Sequence, residues 1–311
     1  MLSTEEVLKK IRKHRAKRIF LQIPEGLKNR ALDLAKELER NDLEVFISAD
    51  PCFGACDLRF SEAEKLGCDI ILHIGHSDFG IKTRIPVIYE EYRIDIDPIP
   101  FLNKNLDKLK PYKKIGLVAT VQHLSCLEPA KNFLEKKGKY AHTGTPTKAK
   151  HPGQILGCDY SSATCLESMV DCFLFLGTGR FHPVGLATHV KKPVLFLDFE
   201  TGKLENMEKE KEKTQIIRMM RIEKAKELTN FGILVSTKPG QLNLKTAEKI
   251  KGRLEKSGRN AWIIIMDEIR PEKMLGMKLD CLVDCACPRL SEDSGLFKKP
   301  ILRPEDIDLL K

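Results

Sequence analysis

The chain has 311 residues, enough for two or three domains, and 42% of them are hydrophobic, so buried cores are expected. No run of 18 apolar residues occurs, and the sequence therefore predicts no membrane-spanning helix. Lys and Arg number 53 against 44 Asp and Glu, a net charge of +9 that is spread along the chain. Aromatic residues make up only 6% and no nucleic-acid-binding motif is present, which argues against direct nucleic-acid binding but leaves an acidic partner open.

The N-terminal segment is charged and has no apolar signal sequence, so we expect a cytoplasmic protein. Ser3 and Glu6 have the spacing of a capping box, which predicts a helix here. Ten cysteines are many for a reducing compartment, where metal binding or burial explains them better than disulfides. They are Cys52, Cys56, Cys68, Cys126, Cys158, Cys165, Cys172, Cys281, Cys285 and Cys287.

Three stretches of the chain share one order: strand, turn, helix, strand, then a loop with cysteine. The first stretch is predicted over residues 1–102. Its apolar runs predict strands at RIFLQ, EVFIS, DIILHIG and PVIYEEY. A helix is predicted after the first strand, because apolar residues recur there with a period of 3.6, at Leu27, Ala31, Leu34 and Leu38. Cys52 and Cys56 lie in the DPCFGACDLR segment that follows EVFIS.

The second stretch is predicted over residues 103–207. It begins with the strand KKIGLVATVQH, and the buried-type strands DCFLFLG and PVLFLDF come later, separated by a segment that carries TGRFHPVGLATHV. A helix is predicted from the spacing of Leu127, Ala130 and Leu134, and Gly138 fits its C-terminal end. The loop QILGC carries Cys158.

The third stretch is predicted over residues 208–311. The strands are NFGILVS, WIIIMDEI and a short one over residues 280–283, which is followed by ACPRL. A helix is predicted with its inner face at Leu244, Ala247, Ile250 and Leu254, ending at Gly258.

The charged residues 204–228 fit a basic binding helix or a solvated helix. We favour the solvated helix, with an apolar face at Ile216, Met220 and Ala225.

This alternation predicts an α/β protein of three α/β/α domains with mostly parallel sheets. Functional sites in such sheets form at loops beyond the carboxyl ends of the strands. Three such domains around a pseudo-threefold axis would bring the three cysteine loops to a central junction, where we expect the site. Local spacing alone does not define it: Cys52 and Cys56 have the first spacing of a radical-enzyme loop, but Arg59 stands where its third cysteine belongs.

The motifs DPCFGACD, LHIGHSD, HPGQILGC, GTGRFH and ACPRLSED occur in this order between Pro24 and about Asp293. As a set they resemble the diphthamide synthase family, the archaeal enzyme and related eukaryotic subunits that begin diphthamide formation on translation elongation factor 2. The resemblance implies three pseudo-symmetric domains, each giving one thiol to a [4Fe-4S] cluster. The ligands it implies are Cys56, Cys158 and Cys287, whereas Cys52, Cys281 and Cys285 inherit no role.

Three thiols leave one iron open to another ligand. The resemblance implies that this iron engages S-adenosylmethionine, whose sulfonium is cleaved reductively on its aminocarboxypropyl side. The 3-amino-3-carboxypropyl group is transferred to C2 of a histidine in elongation factor 2, and 5'-methylthioadenosine is released. The implied enzyme is a 2-(3-amino-3-carboxypropyl)histidine synthase, a transferase that forms homodimers in archaea; the sequence does not identify its electron donor.

The GTGRFH turn is the main candidate for binding S-adenosylmethionine. Gly177 and Gly179 would let the backbone approach the nucleotide. Arg180 would bind a carboxylate through two donors, and His182 would donate to the ribose or the carboxylate. Each of these residues would also fit an ordinary turn at a strand end. The corresponding turn of the third stretch and the last cysteine loop add two further candidates, Gln241 and Arg289.

His73 and His76 have a spacing that would suit a metal pair on a helix, but their segment predicts a strand. We therefore interpret them as residues around the site rather than as ligands. Two other functions stay open. A quinolinate-synthase-like dehydratase also has three domains with one cluster cysteine each, but its His-Pro-Glu-Cys motif is missing here. A non-catalytic partner subunit is the other alternative, although all three cysteine loops are present.

Overall fold

A computed structural model describes residues 4–291 and 294–310 of the chain. The described residues contain three sheets, and the chain divides into two compact units, Met1–Glu208 and Lys209–Lys311. The first unit holds two sheets and the second unit holds one. In each sheet the first four strands have the same order, in which the first strand of the set lies between the second and the third. This shared order is the repeat that the sequence pattern predicts.

The first sheet is parallel throughout and has the order β2-β1-β3-β4. Its strands are β1 (Arg18–Gln22), β2 (Glu44–Ile47), β3 (Ile70–Ile74) and β4 (Val87–Glu90). Its helices are α1 (Thr4–Lys13), α2 (Ala31–Glu39) and α3 (Phe60–Lys65), with a 3-10 helix at Glu25–Arg30. Every residue of β3 is buried, as expected for a parallel strand that is covered on both faces.

The second sheet has the order β6-β5-β7-β8-β9, and only the pairing of β8 with β9 is antiparallel. Its strands are β5 (Lys114–Ala119), β6 (Tyr140–His142), β7 (Cys172–Gly177), β8 (Val194–Asp198) and β9 (Leu204–Asn206). The helices are α4 (Ile99–Lys104), α5 (Leu106–Leu109), α6 (Leu127–Lys136), α7 (Ser161–Thr164) and α8 (Phe181–His189), with a 3-10 helix at Val121–Cys126. Phe173 and Phe175 on β7 and Phe196 on β8 are fully buried between the sheet and its helices.

The third sheet is parallel and has the order β11-β10-β12-β13. Its strands are β10 (Asn230–Ser236), β11 (Asn260–Met266), β12 (Cys281–Asp284) and β13 (Ile301–Leu302). The helices are α9 (Glu208–Lys226), α10 (Leu244–Lys256) and α11 (Ser294–Phe297), with 3-10 helices at Pro271–Met274, Pro288–Ser291 and Pro304–Leu309. One layer of core joins α9 and α10 to β10 and β12.

The predicted α/β class with mostly parallel sheets is confirmed. Gly138 and Gly258 have φ angles of 75° and 81°, so both glycines end their helices in the left-handed conformation. The domain boundaries at residues 102 and 207 stay predictions, as does the pseudo-threefold arrangement. Ser3, half of the predicted capping box, lies outside the described residues. No helix among the described residues is both long and apolar enough to cross a membrane.

Two predicted helix faces are wrong in part. In α9, Ile216 and Met220 are 61% and 66% exposed, and the helix is instead anchored by Ile222 and Ala225. The helix has apolar residues on two sides, and the sequence period does not tell which side meets the sheet. In α10, Leu244 is 40% exposed because it is the first residue of the helix, whereas the three later residues of the predicted face are buried.

His123 provides a test of how this packing responds to pH. The ring is 2% exposed and lies edge-on to Phe199, and its Nδ1 atom has no hydrogen-bond partner among the described residues. Burial lowers the pKa of His123, so the folded protein binds a proton more weakly than the unfolded chain does. This contribution to stability is complete above the unfolded pKa of about 6.5 and is lost as pH falls toward the lower folded pKa.

We therefore expect the free energy of unfolding to decline less steeply between about pH 6.5 and pH 5 in His123→Leu than in the wild-type protein. Urea unfolding at several pH values would measure the two slopes. Above about pH 8 the imidazole is neutral in both states, and the difference between the two proteins should there be independent of pH. Equal slopes below pH 6.5 would contradict the prediction.

Candidate metal-cluster site

Cys56 lies in a tight turn beyond the carboxyl end of β2. The amide of Asp57 donates to the carbonyl of Gly54 at 3.0 Å, which closes the turn around the cysteine. A Cβ atom on Gly54 would lie 3.4 Å from Cys56 Sγ, so a larger side chain there would crowd the thiol. Cys56 is half-buried, whereas Cys52 at the start of the same loop is 3% exposed. The loop therefore presents one thiol and buries the other.

Cys158 lies at the tip of a tight turn. Leu156 and Asp159 form an antiparallel bridge, and their two amide-to-carbonyl hydrogen bonds measure 2.9 and 3.2 Å. Gly157 and Cys158 are the two residues between them. The turn rests on Phe181, because a Cβ atom on Gly157 would lie only 2.5 Å from that ring. Phe181 begins α8, so this contact places the Cys158 turn beside the GTGRFH turn.

The thiols of Cys56 and Cys158 influence each other electrostatically. Although Cys158 is exposed to solvent on one side, the surrounding protein raises the pKa of its thiol, and the neighbouring Cys56 thiol raises it further. Two neighbouring thiolates repel each other. A bound cation would relieve the repulsion and favour the deprotonated form of both, which is the form that binds metals.

Cys287, the third predicted ligand, follows β12 in the second unit. It is half-buried, whereas Cys281 and Cys285 before it are 0% and 3% exposed. The backbone N–H groups of Ala286 and Cys287 donate to Oδ1 of Asp284 at 2.8 and 3.1 Å. The last cysteine loop is therefore folded over a carboxylate at the end of its strand, and the residue that it leaves accessible is Cys287.

Five of the remaining thiols are poorly suited to bind a metal, because burial disfavours their thiolate form. Burial raises the pKa of the Cys68 thiol, that of Cys126 to about 11, and those of Cys172, Cys281 and Cys285 to about 12. Cys165 directly follows α7 and is exposed, and its Sγ lies 3.6 Å from the carbonyl of Ser162. Cys56, Cys158 and Cys287 thus differ from most of the described cysteines in being accessible.

The GTGRFH turn connects β7 to α8. Gly177 ends the strand in a fully buried position, and Gly179 has a φ of 73°, a conformation that favours glycine. Arg180 caps the helix and pairs with Glu205 at 2.8 Å, with half of its side chain exposed. His182 stacks on Phe175, with ring centroids 6.4 Å apart and planes 8° apart. The structure thus brings all four predicted residues to one turn beside Cys158.

The two candidates in the second unit occupy different loops. Gln241 is half-buried in the turn after β10, where its backbone N–H donates to the carbonyl of Lys238 at 2.9 Å. Arg289 is exposed on the 3-10 helix that follows Cys287. Their proposed contacts with S-adenosylmethionine stay predictions.

Sequence reasoning missed the buried polar residues that hold the cysteine loops. Gln22, the last residue of β1, is fully buried and donates from Nε2 to the carbonyl of Asp57 at 2.5 Å. Asp159 accepts N–H groups from Lys148 and Ala149 at 2.8 and 2.9 Å and also from Ser161. Asp284 serves the Cys287 loop in the same way, and burial raises its pKa to about 7. A polar residue at the last position of an otherwise apolar strand is the sequence signal that would have identified Gln22 and Asp284.

The thiols of this chain fit an iron–sulfur cluster in kind and in number. Cluster iron is normally held by cysteine thiolates, and three of them leave one iron open to a further ligand. Cys56, Cys158 and Cys287 are accessible cysteines at carboxyl-end loops of three sheets, one loop for each sheet. The fold is thus that of an α/β protein in which each of three sheets carries one accessible cysteine loop, and the number and kind of these donors match what a three-cysteine cluster requires.

Comparison with known proteins identifies the family. Residues 23–310 match the family model described as "Putative diphthamide synthesis protein". The 2-(3-amino-3-carboxypropyl)histidine synthase of Pyrococcus horikoshii is 36% identical over 308 residues, which cover 98% of this chain and 89% of that protein. Subunit 1 of the same synthase from Homo sapiens is 31% identical, covering 95% of this chain and 68% of that protein. The chain belongs to the diphthamide synthesis family.

The solved structures agree. The crystal structure of Dph2 from Pyrococcus horikoshii with a 4Fe-4S cluster superposes with a TM-score of 0.95 at 36% identity, covering 100% of this chain and 91% of that one. A second crystal structure of that protein gives a TM-score of 0.94. The predicted family and fold are confirmed, and the predicted enzyme class, a transferase, matches the names of the relatives.

Asp284 provides a test of how the last cysteine loop is held. Asp284→Ala would leave the N–H groups of Ala286 and Cys287 without their acceptor, and we expect it to lower the free energy of unfolding by roughly 2–3 kcal/mol. Asp284→Asn keeps an acceptor oxygen and should cost less than about 1 kcal/mol. Urea unfolding would compare the two variants. Equal losses would show that the carboxamide does not replace the carboxylate as acceptor.

Proposed function

We propose that this chain catalyses the first step of diphthamide biosynthesis. It binds a [4Fe-4S] cluster through Cys56, Cys158 and Cys287, and it uses S-adenosylmethionine as the donor of a 3-amino-3-carboxypropyl group. The acceptor is C2 of a histidine in translation elongation factor 2, and the product is 5'-methylthioadenosine. The observation that carries this proposal is the family match over residues 23–310, which includes the three cysteine loops in order.

When bound, the cluster supplies the electron that breaks the sulfonium bond on the aminocarboxypropyl side. The residues of the chain must then orient the sulfonium so that this bond, and not another, is broken. Gly179, where a Cβ position is open, leaves room for the nucleotide beside the Cys158 turn, whereas the space at the buried Gly177 is filled by His123 and Phe175. Arg180 holds the carboxylate of the methionine portion, and His182 donates to the ribose or to this carboxylate. Gln241 and Arg289 complete the proposed contacts.

Arg180 retains capacity for this role although it pairs with Glu205. A guanidinium carries five N–H donors, so one carboxylate does not exhaust it. Half of the Arg180 side chain is exposed, and the next residue, Phe181, packs against the Cys158 turn. The acidic Glu205 also keeps the guanidinium oriented, so that a carboxylate ligand meets a positioned fork rather than a mobile side chain.

The protein substrate and the cellular context belong to the same proposal. The net charge of +9 favours an acidic surface on the partner, which is compatible with elongation factor 2 as the acceptor. The chain is proposed to work as a cytoplasmic homodimer. The electron donor is left unassigned.

The activity is tested with protein that has been purified without oxygen. Iron and sulfide are counted, dithionite and S-adenosylmethionine are added, and the products are analysed by chromatography and by the mass of elongation factor 2. Methylthioadenosine together with a heavier elongation factor is the expected result. A cluster without methylthioadenosine would instead favour the dehydratase, and a protein that takes up no cluster after anaerobic reconstitution would exclude both enzymes.

The choice of ligand in the first cysteine loop is tested by a matched pair of variants. Cys56→Ala should abolish the cluster, because it removes one of three thiolates, whereas Cys52→Ala should retain it. Iron, sulfide and the visible absorption of the cluster are measured on both. The opposite pattern would show that Cys52 is the ligand.

The role of Arg180 is tested by binding. Loss of a charge-assisted pair of hydrogen bonds costs roughly 1.5–3 kcal/mol, so Arg180→Ala should raise the Kd for S-adenosylmethionine about tenfold or more. Calorimetry on the cluster-loaded protein would measure it. Arg253→Ala is the control, because Arg253 forms a comparable exposed ion pair, with Asp308, far along the chain. An unchanged Kd in Arg180→Ala would show that this guanidinium does not contribute to binding S-adenosylmethionine.

A further inference from the structure

A second group of metal-binding side chains lies at the carboxyl end of β3. Sγ of Cys52 and one ring nitrogen of each of His73 and His76 all lie within 4.8 Å of one another. Cys52 and His73 are 3% and 0% exposed, and His76 is half-buried. Thiolate and imidazole are the ligands that zinc prefers in proteins. None of the three residues belongs to the three-thiol cluster.

The chain turns sharply to bring the two imidazoles together. His73 is the fourth of the five residues of β3, and Gly75 follows the strand with a φ of 96°. This turn returns His76 to His73, and the distance from His73 Nε2 to His76 Nδ1 is 3.0 Å. Two nitrogens bound to one tetrahedral zinc at 2.0–2.1 Å would be about 3.3 Å apart. The pair is therefore already close to the spacing that a metal requires.

Hydrogen bonds around Gln22 orient His73 for this role. The Nε2 group of Gln22 donates to the carbonyl of Asp57, and Oε1 accepts the amide N–H of Arg59 at 3.4 Å, which assigns the two ends of the carboxamide. The same Oε1 lies 3.4 Å from His73 Nδ1, so Nδ1 carries the proton. The lone pair of His73 is then on Nε2, the atom that faces His76. Metal-binding histidines are typically held by such an acceptor on their other nitrogen.

The surroundings of the group are also suited to a cation. Burial lowers the pKa of His73 to about 3 and that of His76 to about 4, so both rings are neutral at pH 7 and have a lone pair to donate. Tyr89 packs against His73 with ring centroids 5.5 Å apart, and its buried hydroxyl has no hydrogen-bond partner among the described residues. An unpaired buried hydroxyl is costly and indicates that a polar group belongs nearby.

We propose that Cys52, His73 and His76 bind one zinc ion, with water as its fourth ligand. Three protein ligands leave one position of a tetrahedral zinc open, and the half-buried His76 is on the side from which water reaches it. The ion ties the beginning of the Cys56 loop to the end of β3. Cys52 thereby acquires a role that is separate from the cluster, and the two histidines become ligands.

The test separates zinc from iron in the same samples. Protein that has been purified without oxygen and loaded with its cluster is analysed for both metals by mass spectrometry. The wild-type protein should contain one zinc per chain in addition to the cluster iron. Cys52→Ala and His76→Gln should lose the zinc and keep the iron, whereas Cys158→Ala should lose the iron and keep the zinc. Cys68→Ala, which changes another buried cysteine of the same unit, should keep both.

A spectroscopic measurement supports the assignment of the ligands. Cobalt(II) in place of zinc should show the visible bands of a tetrahedral site and a thiolate-to-metal charge-transfer band, and Cys52→Ala should lose both. Retained iron and an unchanged circular dichroism spectrum show that a variant has folded. Zinc content that is equal in wild-type, Cys52→Ala and His76→Gln would overturn the proposal. So would a wild-type protein that takes up no zinc from zinc sulfate while its cluster is intact. Formation of methylthioadenosine by that same protein reports on the proposed function independently.

Discussion

Backbone groups that leave a sheet must find new hydrogen-bond partners, and the cysteine loops of this protein depend on that constraint. Gln22 and Asp284 end strands that are otherwise apolar, and each binds the backbone of the cysteine loop at its own sheet edge. Asp159 lies in the Cys158 turn itself and accepts the backbone N–H groups of Lys148 and Ala149. Because a buried polar group without a partner costs roughly 1–3 kcal/mol, these contacts are difficult to exchange for others. Each cysteine loop is thereby held in one conformation.

Electrostatics then distinguishes between thiols that are chemically identical. Burial in apolar surroundings raises the pKa of Cys172 and Cys281 to about 12, which makes them inert at neutral pH. Cys158 is accessible, and the effect of Cys56 on its pKa shows that the two thiols interact. Repulsion between the two thiolates is unfavourable in the absence of a cation. A bound cation offsets this repulsion, so the pair favours cation binding. Location in the fold, rather than residue type, therefore sets the reactivity of each thiol.

The sequence was informative about elements and less so about contacts. Apolar runs predicted nearly all of the strands at the core of each sheet, since parallel strands that are buried on both faces are continuous in apolar residues. The buried side of α9 could not be predicted in the same way, because Ile216 and Ile222 fit a helical period equally well and only the sheet decides between them. The tight turn at Cys158 depends on the ring of Phe181, which is 23 residues further along the chain.

The two cysteines of the first loop show why spacing rules failed at this position. The spacing of Cys52 and Cys56 suggested two ligands of one metal site, or one ligand and one neighbouring thiol without a function. In the fold, Cys52 is buried beside His73 and His76, whereas Cys56 is half-buried and interacts electrostatically with Cys158. The pairing of His73 with His76 was hidden for a related reason, since neither a helical nor an extended period describes a chain that reverses at Gly75. Gln22 contacts both His73 and the backbone beside Cys56, so one buried carboxamide supports the end of β3 and the cysteine loop together.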